Sequence, residues 1–215
     1  GTPSMSVASA NESVLQDGQP IDPGSWDQSY PDAAGDPVGN VYAVWQQTDD
    51  GDAGIRFAER PAGGDWQPSV EIDPGTSGDQ GSPKVAVDGT GNLLAVWVDA
   101  RGAETQIYAA YRPAGGNWEA SEPLSTTAHS QSDPSLAVNR RGQAVVAWRQ
   151  GAWPNYHVFC AQRPSGGNWG TAERVTDTGD PRSVPDAAMD DWGRVYVTWN
   201  TWDPGEILFR MRSAK

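Results

Sequence analysis

The chain has 215 residues, a formal net charge of −13 and only two lysines. This acidity excludes the broad basic surfaces that bind nucleic-acid backbones or anionic membranes, so we expect neither partner. No apolar run approaches the roughly 18 residues of a membrane-spanning helix, so we expect no membrane insertion. The single cysteine, Cys160, rules out an internal disulfide, and its place in the apolar run VFCAQ is typical of a small core residue.

The first thirty residues divide into a tail and a strand-like segment. Residues 1–12 are small and polar, and we expect a flexible N-terminal tail there. Residues 13–30 resemble the end of a repeat that occurs later, because the sequence IDPG at 21–24 returns at 72–75. The segment therefore predicts one strand that belongs to a repeat whose other strands lie elsewhere in the chain.

The rest of the chain is a repeat whose copies begin at Pro31, Pro83, Pro134 and Pro185, with spacings of 52, 51 and 51 residues. Each copy carries three short apolar runs separated by turn residues. A fixed period of about 40–50 residues with several strands per copy is typical of a propeller blade. The sequence predicts an all-β fold, a four-bladed β-propeller of four-stranded antiparallel blades.

The repeat also predicts how the blades are divided along a single domain, residues 13–215. Three blades span about 31–82, 83–133 and 134–184, and the fourth combines 185–215 with 13–30. In this arrangement the N-terminal strand completes the C-terminal blade and removes an open sheet edge. We expect a closed monomer, and a piece of a larger propeller is the alternative.

The second copy shows the predicted strands most clearly. They are Lys84–Asp88, Leu93–Val98, Gln106–Tyr111 and about Trp118–Leu124. In all four copies, the turn between the first two strands holds an Asp or Asn and, three residues later, a Gly. These residues are typical of a tight β-hairpin turn. The first three strands are apolar on both faces, as expected for blades that stack on each other.

Two residue types recur at fixed places and are predicted to be structural. A tryptophan ends the second strand of every copy, and an arginine lies near the end of every third strand. We expect these tryptophans to pack between blades and these arginines to form ion pairs or cation–π contacts. The residues are Trp45, Trp97, Trp148, Trp199, Arg60, Arg112, Arg163 and Arg212.

The turn after the third strand resembles the Asp-box of bacterial neuraminidase repeats, Ser-x-Asp-x-Gly-x-Thr-Trp. The matching glycines and tryptophans are Gly63, Gly115, Gly166, Trp66, Trp118 and Trp169. The resemblance is degenerate, because proline stands at the Asp place in each of these copies. It implies a sialidase-like propeller fold, whereas the arginine triad and Tyr–Glu pair of sialidases have no matching positions here.

Function is expected on the loops that differ between copies, since repeats share what the fold needs and diverge where a site is added. These loops meet on one face of the predicted propeller. They carry aromatic side chains that suit stacking on sugar rings or anchoring a peptide, together with charged groups. The predicted ligand-binding residues are Trp26, Tyr30, Asp49, Trp153, Tyr156, Arg182 and Trp202.

The predicted channel at the propeller axis could hold one structural ion. Small residues at a common position let the inner strands approach, and their backbone groups would converge on the axis. The four residues are Ala34, Ala86, Ala137 and Ala188. No motif for another cofactor, a metal or a catalytic nucleophile occurs in the sequence.

The favoured hypothesis is a non-catalytic, lectin-like module that binds a glycan or a peptide on its loop face. One alternative is a sialidase- or glycosidase-like enzyme that uses carboxylates on that face. Another is a structural or protein-interaction scaffold. The Gly-, Pro- and Trp-rich composition is similar to that of secreted bacterial repeat proteins, so we expect a secreted or cell-surface location.

Overall fold

The computed structural model describes residues 18, 20–24, 26–49, 51–177, 184–201 and 205–213. Its regular elements are fifteen strands, and no helix long and apolar enough to cross a membrane occurs among these residues. The strands are β1 Asp27–Gly35, β2 Val41–Thr48, β3 Ala53–Arg60, β4 Val70–Glu71, β5 Gln80–Val87, β6 Leu93–Asp99, β7 Gln106–Arg112, β8 Glu122–Pro123, β9 Gln131–Val138, β10 Ala144–Ala152, β11 Asn155–Arg163, β12 Glu173–Arg174, β13 Pro185–Met189, β14 Val195–Asn200 and β15 Ile207–Arg212.

These strands form four antiparallel sheets in chain order, one for each repeat. Sheet 1 holds β1–β4, sheet 2 holds β5–β8, sheet 3 holds β9–β12, and sheet 4 holds β13–β15. Strands that follow each other in the chain are neighbours in the sheet, as in a meander. The architecture is all-β and consistent with a four-bladed propeller, with a fourth strand in sheets 1 to 3 and three described strands in sheet 4.

The fourth strand of sheet 2 is shorter than the sequence predicts. In sheet 2 it covers Glu122–Pro123 instead of about Trp118–Leu124. Two further backbone bonds flank it, Glu119 N to Tyr111 O at 2.8 Å and Leu124 N to Ile107 O at 2.8 Å. Between these two bonds, the segment from Glu119 to Leu124 is one residue longer than the segment of β7 from Ile107 to Tyr111. The mismatch interrupts the ladder, and Pro123 has no N–H to donate.

Inner strands β1 and β5 begin three or four residues before the repeat proline, and each contains a β-bulge. The pairing of β1 with β2 shifts between Ser29 and Asp32, and that of β5 with β6 shifts between Gly81 and Lys84. The pairing of β10 with β9 shifts in the same place. A bulge adds an unpaired residue and bends its strand, so the residues before these prolines leave the regular ladder.

The cores lie between neighbouring sheets, on the faces of the second strands. Val44 of sheet 1, Trp97 of sheet 2 and Ile72, which directly follows β4, belong to one core. Equivalent cores join sheets 2 and 3 around Trp148, and sheets 3 and 4 around Trp199. Consecutive residues of β6 and β10 are buried, which explains why both strands lack alternation of polar and apolar residues.

A buried glutamine near the start of the inner strand links neighbouring sheets. Gln80 Oε1 accepts the N–H of Ile55 from sheet 1 at 3.3 Å, and Gln131 Oε1 accepts that of Ile107 from sheet 2 at 2.8 Å. Each glutamine also donates to the residue two positions after the repeated tryptophan, Asp99 or Gln150. Each glutamine therefore provides a hydrogen-bond acceptor for a backbone N–H that is buried between two sheets.

Three of the repeated arginines contact the preceding sheet. Arg112 Nη1 lies 2.7 Å from Glu59 Oε2, and its guanidinium lies 5.1 Å from the Phe57 ring. The Arg163 guanidinium lies 4.7 Å from the ring of Tyr111. Arg212 Nη1 lies 2.8 Å from Glu173 Oε2, and Arg60 Nε donates to Gly64 O within its own sheet at 2.8 Å.

Cys160 is 9% exposed and lies between sheets 3 and 4. Burial raises the pKa of its thiol to about 11, with a smaller contribution from Glu173. The thiolate is the reactive form. We therefore expect the folded protein to react with a thiol reagent at pH 8 at least about tenfold more slowly than the protein unfolded in guanidinium chloride. Equal rates in the two states would contradict this burial.

Candidate ligand-binding site on the propeller axis

The four prolines that mark the repeats surround one cavity of about 510 Å³. Its wall takes residues from the start of the inner strand of each sheet. Because all four inner strands contribute, the cavity lies on their common axis. The lining residues are Tyr30, Pro31, Ser82, Pro83, Lys84, Asp133, Pro134, Ser135, Val184, Pro185 and Asp186.

Three of the four copies share a backbone conformation at this cavity, and the four copies differ in side chain. The residue before the proline is Tyr, Ser, Asp or Val, and the residue after it is Asp, Lys, Ser or Asp. Tyr30, Ser82 and Asp133 have φ values of 50°, 52° and 53°. Side-chain-bearing residues rarely adopt this left-handed region, and such strain is frequent at functional sites. Strained backbone with divergent side chains marks this cavity as the candidate site.

One carboxylate of the wall is held by an arginine. Arg149 Nη2 lies 2.7 Å from Asp133 Oδ2, and Ser132 Oγ donates to the same oxygen at 2.8 Å. The Arg149 guanidinium also lies 4.4 Å from the Tyr156 ring. Tyr156, on the hairpin between β10 and β11, is therefore coupled to the cavity wall through Arg149.

A second carboxylate, Asp186, takes part in a link between sheets 3 and 4. Ser135 Oγ donates to Asp186 Oδ1 at 2.7 Å and accepts the N–H of Ala187 at 3.0 Å. Between sheets 1 and 2, Asp32 Oδ2 accepts the N–H of Val85 at 2.8 Å. Oδ2 of Asp186 has no hydrogen-bond partner among the described residues, so it remains an acceptor for a ligand.

Lys84 is the cation of the cavity wall. It is half-buried and makes no ion pair or hydrogen bond with another described residue. An ammonium group has three donors and is strongly hydrated. Lys84 can therefore donate to a ligand without first breaking a contact within the protein.

The structure separates the residues that the sequence predicted for ligand binding. Tyr30 lines the cavity, and Tyr156 is coupled to it. Trp26 and Trp153 are 43% and 67% exposed and do not line it. Asp49 Oδ1 accepts a hydrogen bond from Gln47 Nε2 at 2.9 Å. Arg182 and Trp202 lie outside the described residues.

Sequence reasoning missed most of the wall, including Lys84, Asp133, Ser135 and Asp186. The sequence did contain a signal, because the residues on either side of the repeat prolines vary between copies. The prolines served only to mark the period of the repeat. The alanines expected at the axis do not line the cavity, and Ala34 and Ala137 pack into the cores between sheets. No cluster of three potential metal ligands occurs in the described ranges, and a channel ion held by backbone groups stays a prediction.

No family model matches this sequence, and no curated protein does. Solved structures resemble its fold. An endo-arabinase from Bacteroides thetaiotaomicron has a TM-score of 0.54 and 16% identity, with 87% of this chain and 76% of that chain covered. An α-L-arabinanase from Penicillium chrysogenum, complexed with arabinobiose, has a TM-score of 0.57 and 13% identity, with 86% and 62% covered.

An α-L-arabinofuranosidase from Fusarium graminearum, in complex with an iminosugar inhibitor, has a TM-score of 0.54 and 12% identity. There 89% of this chain and 63% of that chain are covered, so the chain spans less than two thirds of two of these three proteins. At such identity the likeness concerns the fold. The chain resembles these glycoside hydrolases in its propeller-type fold, and these three structures do not specifically support Asp-box neuraminidase repeats.

Proposed function

We propose that the axial cavity binds a carbohydrate and that the protein acts as a lectin-like module. The observation that carries the proposal is the cavity itself, where the four repeats present different side chains around one axis. Its volume of about 510 Å³ lies in the range of small-molecule sites. The bulges and positive φ values that shape its wall support a ligand role.

The wall has the two kinds of group that sugar recognition needs. The exposed rings of Tyr30 and Pro31 offer apolar faces for the C–H side of a sugar ring, whereas the other three prolines are buried behind the wall. Lys84 donates, the free oxygen of Asp186 accepts, and Ser82 does both, which matches the hydroxyl groups of a sugar. The three structural neighbours are named as enzymes of arabinose-containing substrates, which supports a saccharide over other small molecules.

A glycosidase is the second candidate, because Asp133 and Asp186 line the same cavity and most glycosidases use two carboxyl groups. Both groups already have partners, however. Asp133 is paired with Arg149, and Asp186 holds Ser135 between two sheets. Because both carboxylates already take part in contacts within the protein, we favour binding without catalysis. A secreted or cell-surface location would suit such a module and stays part of the proposal.

The proposed site requires the four inner strands to stay around the axis. A ring closed by residues 13–30 is therefore part of the proposal, as is a monomeric state.

A glycan array tests the proposal, with plant and microbial polysaccharides added. We expect wild-type protein to bind a saccharide and the Tyr30→Ala and Lys84→Ala variants each to lose about tenfold in affinity, since each removes roughly 1–1.5 kcal/mol of stacking or charge-assisted hydrogen bonding. Trp192→Ala is the matched control, because Trp192 is 67% exposed in the turn between β13 and β14.

Binding by neither wild type nor any variant would contradict the proposal, as would binding that both cavity variants retain. Shortened oligosaccharides in mass spectra, lost in Asp133→Asn and Asp186→Asn, would instead establish the glycosidase. Binding that only Trp26→Ala or Trp153→Ala abolishes would move the site to the exposed aromatic loops.

A further inference from the structure

The position directly after the repeat proline holds a hydrogen-bond acceptor in three copies and a lysine in one. The acceptors are Asp32, Ser135 and Asp186, and the lysine is Lys84. Carboxylate and hydroxyl oxygens accept hydrogen bonds, whereas an ammonium group only donates them. This position therefore changes from acceptor to donor in sheet 2.

In two copies this acceptor binds a backbone N–H of the next sheet. Asp32 Oδ2 of sheet 1 accepts the N–H of Val85 at 2.8 Å. Ser135 Oγ of sheet 3 accepts the N–H of Ala187 at 3.0 Å. Val85 and Ala187 each pair with the residue two positions before the repeated tryptophan, so they occupy one structural position. The repeat thus contains a recurring link between neighbouring inner strands.

The same link is missing between sheets 2 and 3. Leu136 holds the structural position of Val85 and Ala187, because it also pairs with the residue two positions before the repeated tryptophan. Lys84 stands where the other copies have an acceptor, and it cannot accept a hydrogen bond. No side chain of the described residues accepts the N–H of Leu136. Two donors, Lys84 Nζ and the Leu136 N–H, therefore lie on neighbouring inner strands without an acceptor between them.

Lys84 also contributes an uncompensated positive charge to the cavity wall. The other charged groups there are Asp133, which Arg149 neutralises at 2.7 Å, and Asp186, which is exposed and lies two sheets away from Lys84. A half-buried cation loses hydration that a counter-ion restores in part. The wall beside Lys84 therefore favours a negatively charged group.

We infer that the ligand of the axial cavity is a saccharide with a carboxylate, such as a uronic acid. The inference rests on the proposed function, since it names the class of saccharide that the cavity binds. The ligand carboxylate takes the place that the Asp32 carboxylate holds between sheets 1 and 2, and it accepts from Lys84 Nζ and the Leu136 N–H. A hydroxyl group of the same sugar donates to Asp186 Oδ2.

The charge of the protein restricts the ligand to few carboxylates. Lys84 is the one cation among the described residues of the cavity wall. The net charge of −13 repels a chain that carries many negative charges. A saccharide with a single carboxylate is therefore favoured over a polyuronate.

Matched saccharides test the charge of the ligand. Oligosaccharides that contain one galacturonic or glucuronic acid are placed on the glycan array beside their carboxyl-reduced forms, in which a hydroxymethyl group replaces the carboxylate. We expect at least one acid form to bind about tenfold or more tightly than its reduced form, because charge-assisted hydrogen bonds are stronger than neutral ones.

Two substitutions of Lys84 locate the carboxylate. Lys84→Gln keeps a donor but removes the charge, so it should lose the tenfold preference for the acid form. Lys84→Asp reproduces the arrangement of Asp32, so its own carboxylate should accept the Leu136 N–H and the acid form should no longer bind. Arg140→Gln is the control matched in charge, because it removes one positive charge from a side chain that is 80% exposed in the turn between β9 and β10. It should keep the preference.

The outcomes separate this inference from the proposed function. A neutral saccharide that binds as tightly as any acid form would overturn the inference and leave the lectin-like module standing. A preference that Lys84→Gln retains would also overturn it. Displacement of the acid form by an equal concentration of acetate would reveal a site for any anion and would count against a saccharide. Binding of no saccharide at all would overturn both.

An amide resonance covers the case in which Lys84→Asp fails to fold. In ¹H–¹⁵N spectra of the wild-type protein, the acid form should shift the Leu136 amide further than the reduced form does, because only the acid form supplies a carboxylate to this N–H. Equal shifts with the two forms would overturn the position inferred for the carboxylate.

Discussion

Replacing Trp148 by alanine should lower the free energy of unfolding by about 3–5 kcal/mol. Trp148 is fully buried between sheets 2 and 3. Its ring stacks with that of Phe159 at a centroid distance of 6.3 Å, and its Nε1 donates to Gln150 Oε1 at 3.3 Å. The variant loses this packing and leaves a cavity between the two sheets. It also removes the N–H group that donates a hydrogen bond to Gln150.

Urea unfolding followed by circular dichroism measures the change. Trp192→Ala is the matched control, because it removes the same side chain from a site that is 67% exposed. The control should change the free energy of unfolding by no more than about 0.5 kcal/mol. Similar losses in the two variants would mean that packing between sheets 2 and 3 does not carry the stability of this fold.

Replacing Asp99 by alanine should cost about 3 kcal/mol. Its carboxylate is fully buried and accepts from Trp97 Nε1 at 3.0 Å and from Gln80 Nε2 at 3.2 Å. Arg101 Nη2 lies 2.6 Å from Asp99 Oδ2 and also contacts Asp73. The variant leaves two buried donors unsatisfied and takes one of two carboxylates from Arg101. This loss lies at the lower end of the range for broken buried ion pairs, because Arg101 keeps its ion pair with Asp73.

The same carboxylate should contribute to acid sensitivity. Burial alone would raise the pKa of Asp99, but hydrogen bonds from Arg101 and Trp97 outweigh it and lower the pKa below the ordinary value of 3.8. A group with a lowered pKa stabilises the fold above its unfolded pKa, and this contribution is lost as pH falls through the folded pKa. Stability should therefore fall when the pH drops below about 4.

Thermal unfolding between pH 2 and 7 separates this contribution from that of other acids. Asp99→Asn cannot titrate, so its Tm should start lower at pH 7 and fall less steeply below pH 4 than that of wild type. Asp65→Asn, at an exposed position, is the control and should keep the slope of wild type. A slope in Asp99→Asn as steep as in wild type would contradict the role of Asp99.

The turns show how directly some local structure follows from the sequence. The predicted Asp and Gly of the second copy form the expected turn, in which Asp88 Oδ1 accepts the N–H groups of Thr90 and Asn92. Gly91 has a φ of 87°. Short-range hydrogen bonds and the absence of a Cβ decide such turns, so the residues themselves carry the information.

The candidate site could be predicted only in part. Tyr30 was identified because a loop aromatic has no evident core role, and it lines the cavity. Asp133 and Lys84 were missed, because a carboxylate or an ammonium group near a repeat proline resembles any solvated charge. Their importance depends on four inner strands, about fifty residues apart in the chain, that meet at one axis.

The sequence by itself determined the all-β class, the four repeats, their turns and the apolar second strands, because these depend on period, local hydrogen bonding and residue type. Only the tertiary structure decided where the inner strands bulge and which side chains reach the axis. It also placed the repeat prolines and their neighbours around the cavity on the axis. Bulges and convergence arise from pairing and packing between distant strands, which no local pattern records.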